Sequence, residues 1–287
     1  MKMQAVGNPF SLRHNSTCSN KKPKIAEWGF NNGSSIYVVF DNHIARFLEP
    51  LQPGMLKYGW VCESRTITPG LSEFLRTNHS AIFNAGGYDK IFVHEKELTM
   101  LNQNFIYCPA GSNLPWTPRG EYKIYEKSKV CSLLCSAKSG LDGHNDRIAA
   151  LEKFRDDPQV DIMGGVFESP RVGFSSNLDL EWHNKKDALY DYMFTLCSEN
   201  DISAGYYTEK ITDCFATGTI PIYRGDPDIG EVFNKDGIIE FTDDFDTSIL
   251  TKELYESKMD AIKDNFERVK NLEMADDTIC RLIERMA

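Results

Sequence analysis

A cationic side chain stands at the start of a helix that the sequence predicts over 209–217. Thr208 is a credible N-cap for this helix, so Glu209 and Lys210 occupy its first turn. A cation there opposes the helix dipole by about 0.3–1 kcal/mol, unless an anion binds the free N–H groups of the same turn. The pattern therefore indicates a phosphate site. The alternative is a solvated Lys210 that pairs with Glu209 on the surface.

A second predicted helix, over 145–155, repeats this arrangement. Asn145 is its expected N-cap, and Arg147 then lies in the first turn. Helices that follow strands of an open α/β sheet begin at the carboxyl edge of the sheet, where ligands bind. Because a guanidinium can contact phosphate oxygens with two donors, we expect Arg147, Lys210 and backbone N–H groups to form a diphosphate cradle.

Short β-branched and aromatic runs alternate with helical segments along most of the chain, which predicts an α/β fold with parallel sheets. The expected strands lie within 35–40, 58–62, 90–94, 104–108, 129–136, 160–163, 189–195, 219–223 and 237–241. The segment 114–122 contains two prolines and a glycine and is the best candidate for a linker between two halves.

Composition excludes several classes of protein. The chain has 287 residues, 41% of them hydrophobic, and a net charge of −10, which disfavours binding to nucleic acid or to anionic membranes. The eight cysteines form no CxxC pair, so we expect free thiols in a reducing compartment. We also expect no signal peptide, no membrane span and a cytoplasmic location, because no stretch of 18 apolar residues occurs.

The residues around the helix 209–217 form an ordered pattern. It reads Glu199-Asn200, Tyr207-Thr208-Glu209-Lys210, Ala216-Thr217-Gly218-Thr219-Ile220-Pro221-Ile222 and Gly225. This pattern resembles the donor-binding signature of the α-1,3-fucosyltransferases, glycosyltransferase family ten, with Tyr207 in place of the usual valine. The stretch from Cys131 to Arg147 is similar to the strand and arginine-bearing helix of the same family, and 57–69 resembles its acceptor side more loosely.

The resemblance implies a GT-B fold, in which two Rossmann-like domains with parallel sheets face each other. It implies inverting transfer of a sugar, typically fucose from GDP-fucose, to a hydroxyl of a glycan acceptor, with no cofactor required. The expected domains are a polar tail or lid at 1–35, an acceptor-side domain at 36–122, a nucleotide-sugar domain at 123–250 and C-terminal helices at 251–287.

The resemblance also assigns roles to single residues. Arg147 and Lys210 would bind the diphosphate, and Glu209 would bind the ribose hydroxyls. The residues expected to line the nucleotide or sugar pocket are Glu199, Asn200 and Tyr207.

Glu63 is the catalytic base that the resemblance implies. It follows a predicted strand, and a partly buried carboxylate with a raised pKa can take the proton of an acceptor hydroxyl. A salt bridge with Arg65 or a helix cap are the structural alternatives for Glu63. Glu95 is a weaker rival base, since it opens a predicted helix in the manner of a cap residue.

No metal ligand is predicted. Asp226-Pro227-Asp228 has the D-x-D spacing that binds metal in other glycosyltransferases, but its proline favours a turn. Two functions are thus open: a glycosyltransferase, and a non-catalytic glycan- or nucleotide-binding protein that keeps the same fold. The joint presence of Glu63, Arg147, Glu209 and Lys210 favours the enzyme.

Overall fold

The computed structural model describes residues 1–7, 16–18, 21–135, 140, 142–163 and 181–286, without the side chains of 142, 144 and 181–184. The chain forms two compact units. Unit 1 comprises Met1–Leu114, Ser203–Tyr207 and Glu273–Ala287, and unit 2 comprises Pro115–Ile202 and Thr208–Leu272.

Unit 1 is built on a six-stranded parallel sheet with the order β2-β1-β3-β4-β5-β6. Its strands are β1 (Lys2–Val6), β2 (Glu27–Gly29), β3 (Ile36–Phe40), β4 (Leu56–Trp60), β5 (Lys90–Val93) and β6 (Phe105–Tyr107). Its helices are α1 (Leu71–Asn84), α2 (Lys96–Thr99) and α8 (Ala275–Met286).

Side chains of these strands alternate between two apolar layers. Phe40 and Trp60 pack with Ile279 of α8 on one face of the sheet. Val39 packs with Leu75 of α1 on the other face. Both faces are covered by helices, which explains why the strands read as continuous apolar runs.

Unit 2 contains a five-stranded parallel sheet with the order β11-β10-β9-β7-β8. Its strands are β7 (Lys129–Leu134), β8 (Val160–Met163), β9 (Tyr192–Ser198), β10 (Ile220–Arg224) and β11 (Ile239–Glu240). Its helices are α3 (Asp142–Phe154), α4 (Glu181–Leu189), α5 (Glu209–Thr217), α6 (Lys252–Ser257) and α7 (Met259–Asn271).

The strand order of unit 2 reverses between β7 and β9. From β7 the chain moves outward to β8, then returns to the other side of β7 as β9 and continues to β10 and β11. Such a switch point opens a crevice at the carboxyl ends of the two strands, and ligands of α/β proteins bind there. The predicted α/β class with parallel sheets is confirmed, and the switch point lies where the cradle is expected.

The units differ in extent from the expected domains. Residues 1–35 were expected as a tail or lid, yet they supply β1 and β2, because Met3, Ala5 and Trp28 are buried in the core of unit 1. The division falls after Leu114 rather than after residue 122. Within 251–287, α6 and α7 belong to unit 2, whereas α8 belongs to unit 1.

Candidate active site

The start of α5 lies beside the carboxyl end of β9. The helix begins at Glu209, as predicted, and Thr208 is its N-cap, with the Thr208 hydroxyl accepting a 3.4 Å hydrogen bond from the backbone N–H of Lys210. Gly218 closes the helix with a φ of 71°, in the left-handed region that a glycine adopts without strain. The helix is therefore fixed at both ends by residues of the sequence pattern.

Glu199 joins the end of β9 to the start of α5. Its buried carboxylate accepts hydrogen bonds from the backbone N–H of Thr208 at 2.9 Å and from the Thr208 hydroxyl at 2.8 Å. The Lys210 ammonium lies 3.3 Å from the second of these carboxylate oxygens. Glu199 thus links the end of β9 to the start of α5, while its place in the lining of a pocket stays a prediction.

The Lys210 side chain is not a solvated surface group. It is 24% exposed, and its ammonium contacts Glu199 and, at 3.1 Å, the hydroxyl of Thr208. Burial lowers its pKa, but Glu209 and Glu199 outweigh this effect and raise the pKa above its usual value. Lys210 is therefore charged, and its ammonium lies at the carboxyl edge of the sheet.

Arg147 reaches the same place from α3, but not in the expected manner. The helix begins at Asp142 instead of after Asn145, so Arg147 is in the second turn and not in the first. The earlier start is possible because Gly143 has no side chain: a Cβ there would lie 1.7 Å from the carbonyl oxygen of Glu199. The helix start consequently packs directly on the backbone that follows β9.

The Arg147 guanidinium donates a 2.8 Å hydrogen bond to the carbonyl oxygen of Ser198, the last residue of β9. Burial lowers its pKa, while Cys135 and Glu199 act in the opposite direction. Glu199 interacts electrostatically with both Arg147 and Lys210. The two cations that the sequence singled out are thus brought together, around one buried carboxylate.

A third cation, Lys185 on α4, was missed by sequence reasoning. Its ammonium lies 3.2 Å from Glu209 and 2.8 Å from Asp213, and 4.1 Å from the ring centre of Trp116. Burial raises the pKa of Glu209, but Lys185 and Lys210 outweigh it and lower the pKa to about 2. Lys185 lies in a polar stretch without a capping or strand signal, so only the tertiary structure identifies it.

Two further expected site residues lie in different units. Asn200 follows Glu199 in unit 2 and lies against the start of α3, since a Cβ on Gly143 would be 2.9 Å from the Cα of Asn200. Tyr207 is buried and belongs to the short segment of unit 1 that precedes Thr208.

Glu63 lies in unit 1, just beyond the carboxyl end of β4, and is half-buried. Its backbone N–H donates to Asp41 at 3.1 Å, and its carbonyl oxygen lies 2.9 Å from Nε2 of His94. Glu63 does not cap α1, since that helix begins at Leu71 with Gly70 as N-cap. The Glu63 backbone is thus held at the carboxyl edge of the sheet by residues that follow the two neighbouring strands, β3 and β5.

Glu95, the rival candidate, is buried at the N-cap position of α2. It accepts a 2.6 Å hydrogen bond from the hydroxyl of Ser72 and lies 3.8 Å from the guanidinium of Arg76. In the described part of the chain the Glu95 carboxylate makes no cap hydrogen bond to α2, so the expected cap role is not found, and its contacts link α1 to the start of α2 instead.

Asp226 and Asp228 form a turn, in which the Asp226 carboxylate accepts the backbone N–H of Asp228 at 2.8 Å. Within the described ranges, no group of three or more His, Cys, Asp or Glu side chains could hold a metal ion. In the same part of the chain, no helix is both long and apolar enough to cross a membrane.

The fold is shared with a solved glycosyltransferase. A crystal structure of an α1,3-fucosyltransferase with GDP matches with a TM-score of 0.54 at 16% identity, over 96% of this chain and 92% of that one. The class of the fold is GT-B. The sequence model of glycosyltransferase family 10 (fucosyltransferase), C-terminal part, matches residues 124–273, which is more than half of the chain. The chain therefore belongs to glycosyltransferase family 10.

A curated relative matches over a shorter stretch. The alpha-(1,3)-fucosyltransferase FucT of Helicobacter pylori is 43% identical over 68 residues, which are 23% of this chain and 14% of that protein. The match thus spans about a seventh of the length of this relative.

Proposed function

We propose that this protein is a fucosyltransferase that moves fucose from GDP-fucose to a hydroxyl of a glycan acceptor, with inversion at the sugar carbon. Membership of family 10 supports the reaction class, and the solved relative bound to GDP supports the nucleotide. The proposal depends mainly on one observation: Arg147 and Lys210 both contact residues at the end of β9, at the switch point of unit 2.

Arg147 and Lys210 would bind the diphosphate of the donor. Each belongs to a helix that follows a strand of the switch point, and both interact with the buried Glu199. As the bond to fucose breaks, negative charge builds up on the leaving diphosphate, and fixed cations stabilise that charge more than the ground state. These two side chains would then take the role that a metal ion has in other glycosyltransferases. We therefore expect turnover to continue in the presence of EDTA.

Glu209 would bind the ribose hydroxyls. With a pKa of about 2, its carboxylate remains an acceptor at neutral pH, and Lys185 holds it in place. Asn200 and Tyr207 are proposed to line the pocket of the nucleotide or sugar, and Glu199 to support the cradle from behind.

Glu63 is the proposed base, in unit 1. Its carboxylate would take the proton of the acceptor hydroxyl as that oxygen attacks the sugar carbon and the bond to GDP breaks. Inversion requires a base on the side opposite the leaving group, so a carboxylate outside the cradle fits this step.

Calorimetric titration with GDP, UDP and CDP, combined with a transfer assay on a glycan array, tests the proposal. We expect GDP to bind selectively, and Arg147→Ala or Lys210→Ala to weaken its binding about 10- to 100-fold, because each removes a charge-assisted contact of about 1.5–3 kcal/mol. Lys252→Ala, on an exposed face of α6, is the matched control and should bind GDP normally. Unchanged GDP affinity in both cradle variants would refute the assignment. GDP binding with no transfer to any acceptor would favour the glycan- or nucleotide-binding protein.

A further inference from the structure

Asp41 occupies an unusual position at the end of β3. It directly follows the strand and begins a single 3-10 turn, Asp41–His43, with a φ of 48°. This left-handed region is disfavoured for side chains other than glycine, although Asn and Asp tolerate it best. Strained backbone of this kind is concentrated at functional sites.

The Asp41 carboxylate reaches across to the end of the neighbouring strand. One oxygen accepts the backbone N–H of Cys62 at 2.8 Å and that of Glu63 at 3.1 Å. The register pairs Phe40 with Trp60, so the Asp41 carboxylate bonds to the second and third residues beyond this last ladder pair. The backbone that carries Glu63 is thereby tied to β3 through one side chain.

Several titratable groups surround this turn. They are Cys62 and Glu63 themselves, His43 on the same turn, His94 on the segment after β5, and Asp276 and Cys108, which act electrostatically on Cys62. In the part of the chain that is described, none of the groups that shift the pKa of Asp41 is a cation. Burial raises this pKa to about 6, and the two N–H donors reduce the rise.

The raised pKa means that the ionised carboxylate costs stability. A folded-state pKa above the unfolded value of 3.8 gives a contribution to stability that is present below pH 3.8 and is lost as the pH rises through 6. At neutral pH, a carboxylate in a strained backbone conformation therefore lowers the stability of unit 1. Features that lower stability in this way are expected where activity requires them.

We propose that Asp41 is a positioning residue for Glu63: the ionised carboxylate of Asp41 holds the Glu63 backbone by charge-assisted hydrogen bonds in the arrangement needed for turnover. The inference rests on the proposed function of Glu63 as the base. When Asp41 takes up a proton, the two hydrogen bonds become neutral ones of about half the strength, and the loop is held less firmly.

Asp41→Asn tests the inference, because asparagine keeps an oxygen acceptor and tolerates the same φ. We expect this variant to melt at a higher temperature than the wild type above pH 7, yet to have a kcat about five- to tenfold lower at pH 7.5. The ratio of the two kcat values should approach one at pH 5, where Asp41 of the wild type is mostly protonated and position 41 is therefore close to neutral in both proteins. GDP affinity should be the same in both proteins.

Asp276→Asn is the matched control. Asp276 is a buried carboxylate of unit 1 whose pKa, like that of Asp41, is raised, but it bonds to Thr17 and Trp28 and not to Glu63. The ratio of the kcat of Asp276→Asn to that of the wild type should not vary with pH. Asp41→Gly, which fits the φ without any carboxylate, gives a second test: the ratio of its kcat to that of the wild type should fall from pH 5 to pH 7.5, as it does for Asp41→Asn.

A constant ratio between Asp41→Asn and the wild type from pH 5 to 8 would overturn the inference, as would equal turnover or a lowered melting temperature. Glu63→Gln separates this failure from a failure of the proposed function. If Glu63→Gln abolishes turnover and Asp41→Asn does not change its pH dependence, only the role of Asp41 is wrong. If Glu63→Gln turns over normally, the assignment of the base is wrong.

Discussion

Lys185→Met tests how the carboxylate proposed to bind ribose is held. The substitution keeps the length of the side chain but removes the only ammonium that contacts both Glu209 and Asp213 among the described residues. The Lys185 side chain is 13% exposed and that of Asp213 is 1% exposed, so water replaces the lost partner poorly. Removing one member of a buried ion pair typically costs about 3–5 kcal/mol.

The lowered pKa of Glu209 gives a second measure of the same effect. A decrease from 4.5 to about 2 corresponds to about 3 kcal/mol of stabilisation, of which Lys210 supplies a part. We therefore expect Lys185→Met to lower the free energy of unfolding by about 3 kcal/mol at pH 7. Because a depressed carboxyl pKa stabilises above pH 4.5 and this stability is lost as the pH falls through about 2, the difference from the wild type should shrink below pH 4.5.

Urea unfolding at pH 7 and pH 4 measures this difference. Lys186→Met is the control, since Lys186 is half-exposed and lies 3.8 Å from the exposed Glu121; its effect should stay within about 0.5 kcal/mol. GDP titration adds a functional measurement: the wild type should prefer GDP to its 2′,3′-dideoxy analogue, and Lys185→Met should lose this preference. Equal stability of the two lysine variants, or a retained preference in Lys185→Met, would refute the reasoning.

Two further substitutions test the elements that support the site. Lys127→Met should lower the free energy of unfolding in urea by about 2–4 kcal/mol, because the Lys127 ammonium donates to carbonyl oxygens at the ends of α4 and α5 that would lose their partner; full stability of the variant would contradict this. Gly143→Ala should weaken GDP binding at least about tenfold, since the new Cβ forces the start of α3 away from Glu199. Gly120→Ala, where a Cβ meets nothing within 4 Å, is its control, and equal GDP affinity of the two variants would contradict the packing argument.

The sequence predicted the parts of the site that depend on local patterns. Thr208 as an N-cap and Gly218 as the end of α5 follow from the backbone requirements of a helix, and both are found. The start of α3 was predicted wrongly, because the N-cap preference of Asn145 is overridden by the packing of Gly143 on the backbone of Glu199 and Asn200, just after β9.

Long-range partners could not be predicted in this way. Lys185 is 24 positions from Glu209, and no spacing rule connects them. Trp28 anchors β2 in a polar stretch of the chain, where a three-residue strand gives too short a pattern to recognise. Both depend on which surfaces meet in three dimensions, which a single sequence does not state.

The contacts between α8 and the N-terminal segment of unit 1 have a consequence for biosynthesis. The Asp277 carboxylate accepts backbone N–H groups of Lys24, Ile25 and Ala26, and the first of these lies 253 positions away. On a ribosome, the N-terminal strands are therefore made well before their partner α8, which emerges only after all of unit 2 has been synthesised. Unit 2, whose segments are nearly contiguous, can condense first, and shortening the chain before residue 275 should leave the apolar face of the first sheet uncovered.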